Sequence, residues 1–161
     1  MSDLNVLNVT PAPVGPLLPE RVLLLRVGDE RLAIESRHVR GVVPVTELTP
    51  VPRAPAHVEG IFHHLGRIVP LVDLRPALGL PRRPQPQAAA LALLLEVPPW
   101  FVAADVDEVV GFEMCEPRPE TRASATGSEE VRSLAKGTVG RDGRDYTLLD
   151  AWRLMDTIRV G

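Results

Sequence analysis

The chain has 161 residues, 45% of them hydrophobic and 24% charged, which is the size and make-up of one ordinary globular domain or two very small ones rather than a disordered polymer. A formal net charge of −3 gives no general attraction to nucleic acid or anionic lipid, and no apolar run reaches the roughly 18–20 residues that direct membrane insertion requires. The single cysteine, Cys115, excludes an intrachain disulfide and a thiolate metal cluster, and with no secretory leader at Met1 the expected location is cytoplasmic.

Seventeen prolines favour short elements joined by turns over long helices. Residues 1–19, with Pro11, Pro13, Pro16 and Pro19, read as a flexible tail preceding a domain over 20–161. A β-hairpin is predicted over 21–35, turning at Gly28-Asp29-Glu30. Ser36 can cap one helical turn through Val39, followed by the apolar stretch Val42 to Val45. Thr49 to Pro55 holds three prolines and must be loop. Val58 to Val72 reads as two strands hinged at Gly66-Arg67, after which Asp73 is placed to cap a short helix that Gly79 ends. Pro81 to Gln87 is a linker.

The second half follows the same order. Leu91 to Val97 and Trp100 to Ala104 form a hairpin around Pro98-Pro99, and Val106 to Val110 matches Val39 to Val43. Leu134 to Val139 and Tyr146 to Leu149 flank the turn Arg141-Asp142-Gly143-Arg144. Asp150 then opens Ala151 to Met155 as Asp73 opens Leu74 to Leu78. The two aspartates lie 77 residues apart and Leu25 and Leu95 lie 70 apart, the difference being taken up by Glu120 to Arg132, a polar stretch expected to be a mobile loop. The alanine- and leucine-rich run 87–96 suits a buried helix or a buried strand equally by pattern, and its counterpart in the first half makes it a strand. Two copies of one order of elements predict an all-β molecule of two small, similar units. A unit of about 75 residues is too small for a large core of its own, so the two should pack together and leave a seam where a partner can dock.

No catalytic residue, metal or cofactor is expected. His63 and His64 are adjacent, so on a strand they face opposite ways, while His38 and His57 fall in turns with no helical spacing between them. Asp105, Asp107 and Glu108 could serve a hard cation or acid–base chemistry, but the reading preferred is a solvated acidic turn. Cys115 stands between Glu113 and Glu116, a setting that raises a thiol pKa and disfavours a reactive thiolate. Gly140 to Gly143 lacks the lysine and long helix of a phosphate loop, and there is no Gly-x-Ser-x-Gly elbow.

The stretch Gly60-Ile-Phe-His-His-Leu-Gly-Arg-Ile-Val-Pro-Leu-Val-Asp-Leu-Arg75 resembles the Gly-Ile-x-Asn-Leu-Arg-Gly-x-Ile-x-Pro-Val-x-Asp-Leu-Arg run of the CheW family of chemotaxis coupling proteins. The opening hairpin 24–34, the approach 51–60, the segment 102–110 and the closing strand 146–150 are similar as well, so the likeness spans about 21–156. The resemblance implies two intertwined five-stranded SH3-like β-barrel subdomains with short capped helices, and no enzymatic activity. It implies a non-catalytic adaptor that couples the cytoplasmic tip of a chemoreceptor to the regulatory domain of a CheA-type histidine kinase. On that analogy a receptor helix would lie in a groove lined by Val39, Gly41, Gly60, Ile61, Leu65 and Gly66, and the kinase would bind a face around Val43, Val45 and Thr46. The chain departs from the family pattern at two positions: Leu65 stands where the motif has arginine, and Gly41 where an acidic residue is frequent. Loss of both is more coherent than loss of one, since a lone half-buried charge is costly. The departures leave open a divergent scaffold that binds a kinase or another partner but no standard receptor; a metal-dependent enzyme using the histidines and the 105–108 carboxylates is the remaining alternative.

Overall fold

The computed structural model describes residues 18–81, 90–119 and 127–160, so the tail up to residue 17, nearly all of the 81–87 linker and residues 120–126 lie outside the described residues. The first half forms β1 (Glu20–Val27), β2 (Glu30–Glu35), a 3-10 turn (Ser36–His38), β3 (Val39–Val45), β4 (Val58–His64) and β5 (Arg67–Asp73). The second half forms β6 (Ala90–Val97), β7 (Trp100–Val106), β8 (Glu108–Cys115), the two-residue β9 (Arg118–Pro119), helix α1 (Glu129–Leu134), β10 (Ala135–Arg141), β11 (Arg144–Leu149) and helix α2 (Ala151–Val160).

The repeat read from the sequence maps β1 to β5 onto β6, β7, β8, β10 and β11. Yet the sheets do not divide the chain at its midpoint. One sheet runs β8-β1-β2-β11-β10, with β9 added at its end, and the other runs β3-β6-β7-β5-β4. Each half therefore lends its first hairpin to the other half's three remaining strands, which is the intertwining expected. The registers repeat as well. Gly60, Leu71, Ala103, Leu94 and Gly41 form one cross-strand row, and Gly137, Leu148, Ala33, Leu24 and Gly111 form its counterpart.

Burial explains why some strands read as unbroken apolar runs. Leu23 and Leu25 of β1 and Leu93 and Leu95 of β6 point into a large core between the two sheets, together with Ile34, Leu74 and Leu154. The alternate residues point inward within each barrel: Val22 and Leu24 with Leu148 and Tyr146 in one, Ala92 and Leu94 with Phe62 and Leu71 in the other. A strand buried on both faces has no polar face to alternate. The alanine–leucine run is such a strand.

Three expectations need correction. Asp73 opens no helix: Oδ1 accepts the Arg75 N–H at 3.0 Å, but the chain to Gly79 makes only turns. The equivalent Asp150 Oδ1 accepts from both Trp152 N (3.0 Å) and Arg153 N (3.2 Å) and does start α2. The residue aligned with Arg153 is Pro76, which has no N–H to donate. The stretch 120–132 is not loop throughout, because Ser128 caps α1 by accepting from Val131 N. Finally, β8 continues past Val110 to Cys115.

Candidate protein-interaction surfaces

β3 and β4 are the two edges of the five-stranded sheet, and the connection between them folds back on β4 through paired Thr49 and Ile61 hydrogen bonds of 2.8 Å. Gly60 lies buried under that connection. A Cβ there would come within 2.7 Å of Leu48 Cγ and of the Thr49 carbonyl oxygen, so the close approach this glycine permits is made by the chain's own loop. Gly41, at the bulge of β3, is roomier, the nearest atom to a built Cβ being Leu94 Cδ1 at 3.6 Å. Val39 packs against the core between the sheets, and Ile61 is half-buried on β4. Leu65 (φ 47°) and Gly66 (φ 79°) form the tip of the β4–β5 hairpin, with Leu65 89% exposed. The six residues expected to line one groove thus occupy two sheet edges and a hairpin tip.

A chain of contacts ties that tip to the start of β3. The Arg67 guanidinium lies 3.9 Å from the centroid of the Phe101 ring, Phe101 is the cross-strand partner of Glu96, and Glu96 accepts from Arg40 Nε at 2.9 Å. At the other end of β3, Val43, Val45 and Thr46 line a hollow of about 190 Å³ with Phe62, His63 and Glu47. The residues expected to form the kinase face are therefore together, and Thr46 is the exposed member.

The acidic cluster of the second half is not a solvated turn. Asp105 is 1% exposed, and Asp107 Oδ2 accepts both from Gly28 N and from the buried Arg75 guanidinium. Asp107 thereby ties the turn of the first hairpin to the exit of β5. Glu35, three per cent exposed, accepts from Lys136 Nζ at 3.0 Å and from Arg37 at 3.1 Å. Burial pushes its carboxyl up, but hydrogen bonds from Glu20 and Lys136 and the charges of Lys136 and Arg37 bring it below its ordinary value. Glu20 is raised in turn, first by its bond to Glu35 and then by burial. Burial lowers His38, and burial, followed by the Glu113 charge, raises the Cys115 thiol. No group of three His, Cys, Asp or Glu among the described residues is arranged to hold a metal ion, and no described helix is long and apolar enough to cross a membrane.

One surface escaped the sequence reading. Val110, Phe112 and Met114 of β8 are all exposed on the free edge of the larger sheet. The alternation in Glu108-Val-Val-Gly-Phe-Glu-Met-Cys115 carried that signal, which was masked by ending the strand at Val110.

Residues 21–159 match the family model described as CheW-like domain. The chain belongs to the CheW family. Among curated relatives it is 29% identical over 141 residues to the chemotaxis protein CheW of Thermotoga maritima, covering 86% of this chain and 89% of that protein. It is 28% identical over 129 residues to CheW of Rhizobium meliloti, covering 80% and 83%. The crystal structure of the scaffolding protein TtCheW from Thermoanaerobacter tengcongensis superposes with a TM-score of 0.69 at 19% identity, over 83% of this chain and 90% of that one, a likeness of fold. CheW proteins are non-catalytic scaffolds of chemotaxis signalling, and membership places this chain among them.

Proposed function

We infer that this chain couples a chemoreceptor's cytoplasmic tip to the regulatory domain of a CheA-type kinase by holding them on neighbouring surfaces of its smaller sheet, at opposite ends of β3. The observation that carries the reading is the family match over 21–159, which takes in both sheets with all the expected site residues. The receptor surface is Val39, Gly41, Gly60, Ile61, Leu65 and Gly66, where a helix lays apolar side chains against β3, β4 and the hairpin tip. The kinase surface is the hollow at Val43, Val45 and Thr46, a β-rich face suited to a domain of like fold.

A second reading has its own support. Leu65 projects into solvent where the family motif has arginine, and Gly41 supplies no acid opposite it, so the chain can serve a kinase or another partner without a standard receptor. Capture of separately prepared receptor-tip and kinase-domain fragments distinguishes the two. Coupling requires that both are retained; Leu65→Asp should abolish receptor capture alone and Thr46→Arg kinase capture alone, both positions being exposed. Retention of the kinase fragment only selects the second reading, and retention of neither overturns both.

A further inference from the structure

At the mouth of the larger sheet's barrel is a cleft of about 460 Å³ that brings together Arg26, Arg31, Arg141 and Arg144 with Glu108 and Asp142, over a floor of Tyr146 and Val110. Four cations against two carboxylates leave the lining with an excess of positive charge on a chain of net charge −3. Two of the four are engaged. Arg26 pairs with Glu108 at 3.3 Å, and Arg141 Nε lies 2.8 Å from Glu113 Oε1. The other two are not neutralised: Arg31 gives only its Nε, to the Asp145 carbonyl at 3.3 Å, and among the described residues neither Arg31 nor Arg144 meets a carboxylate.

The internal repeat supplies a control within the same molecule. Arg31 corresponds to Phe101 and Arg144 to Arg67. In the smaller barrel that pair is satisfied, with the Arg67 guanidinium stacked on the Phe101 ring at 3.9 Å. In the larger barrel the aromatic partner is replaced by a second cation, so Arg144 has no ring at that position to stack on, and both guanidinium groups line the cleft. Two guanidinium groups without a carboxylate partner of their own are stabilised by an anion that both can reach, and paired guanidinium groups suit a carboxylate's two oxygens. From Val110, β8 leads away from the cleft past the exposed Phe112 and Met114, and its outer edge has no strand partner among the described residues.

We propose that this cleft docks an extended acidic segment of a partner protein, its carboxylates held by Arg31 and Arg144 and its apolar residues along the free edge of β8. Beyond the charged mouth the stripe carries Phe112, with the Arg21 guanidinium 4.4 Å from its ring centroid, and the exposed Met114; its length favours a polypeptide over a small anion, which would use the arginines and leave Met114 uncovered. The surface is separate from the β3 and β4 edges, so the proposal stands or falls independently of the receptor and kinase assignment.

The test uses the full chain and a fluorescein-labelled peptide of four glutamates followed by alternating valine and serine, read by anisotropy at low salt. Saturable binding is expected that weakens with added salt and falls at least about tenfold in the Arg31→Gln/Arg144→Gln double variant. The stacked Arg67→Gln in the other barrel should leave it unchanged, and Phe112→Ser should weaken it. Three results overturn the proposal: no saturable binding, equal loss in Arg67→Gln, or binding of inorganic pyrophosphate at the same arginines while the peptide stays free.

Discussion

Two glycines of one cross-strand row separate steric from conformational cost. Gly60 and Gly41 share the same φ of 157°, yet only Gly60 has atoms within 2.7 Å of a built Cβ. Gly60→Ala should destabilise by about 1–3 kcal/mol and Gly41→Ala by clearly less, as read from urea midpoints; equal losses would mean that the Leu48–Thr49 loop yields freely. The charged interior predicts a pH response. Burial holds His38 neutral in the folded state, whereas the unfolded chain takes up its proton near the ordinary 6.5. The unfolded state then binds more protons, so stability falls as pH drops through that range. Glu35, whose folded value lies below the ordinary 4.5, contributes stability that is present above that value and disappears on further acidification, offset in part by Glu20, which the same bond raises. His38→Gln should shrink the loss of midpoint between about pH 7.5 and 5.5 and leave the acid limb below about 4.5 in place. The residues of this interior were visible in the sequence only as types: nothing in the spacing of Glu35 and Lys136 shows that they meet, because that meeting is set by the exchange of hairpins.

Among the elements, legibility followed how each strand is buried. Edge strands alternate and central strands do not, so β1 and β6 could be recognised only as apolar runs and β6 only through its counterpart. The helix expected after Asp73 does not form: Pro76 cannot give the second N–H bond that Arg153 gives Asp150, and the chain to Gly79 makes only turns. Helix α1 was hidden in a polar stretch whose one signal was Ser128 followed by Glu129 and Glu130. Ser128 does two things there: its Oγ accepts from Val131 N at 3.1 Å and donates to the Leu78 carbonyl at 2.6 Å. It thereby joins the α1 start to the turn after β5 while Val131 and Leu134 enter the core between the sheets. Ser128→Ala should cost about 1 kcal/mol and speed amide exchange across 129–134; unchanged exchange there would show that packing alone holds the helix. The residues expected to form a kinase face read as a cluster because Val43, Val45 and Thr46 are neighbours at one strand end, whereas the expected groove drew on three elements whose mutual positions no linear pattern encodes.

For the molecule as a whole, exchange of the first hairpins makes the halves inseparable. A fragment of residues 1–81 keeps β1 to β5 but lacks β6 and β7, the centre of its own sheet. Fragments 1–81 and 82–161 are each expected to show no cooperative unfolding by circular dichroism, and a native spectrum should return on mixing them. Independent folding of either would contradict the shared core. The duplicated architecture also has a consequence that a symmetric dimer of half-length chains could not have. In such a dimer every substitution appears twice, so a stacked arginine lost from one mouth is lost from both. With the copies fused in tandem, one barrel carries Arg67 stacked on Phe101 while the other carries four arginines around its cleft, and each can change its binding chemistry without altering its twin.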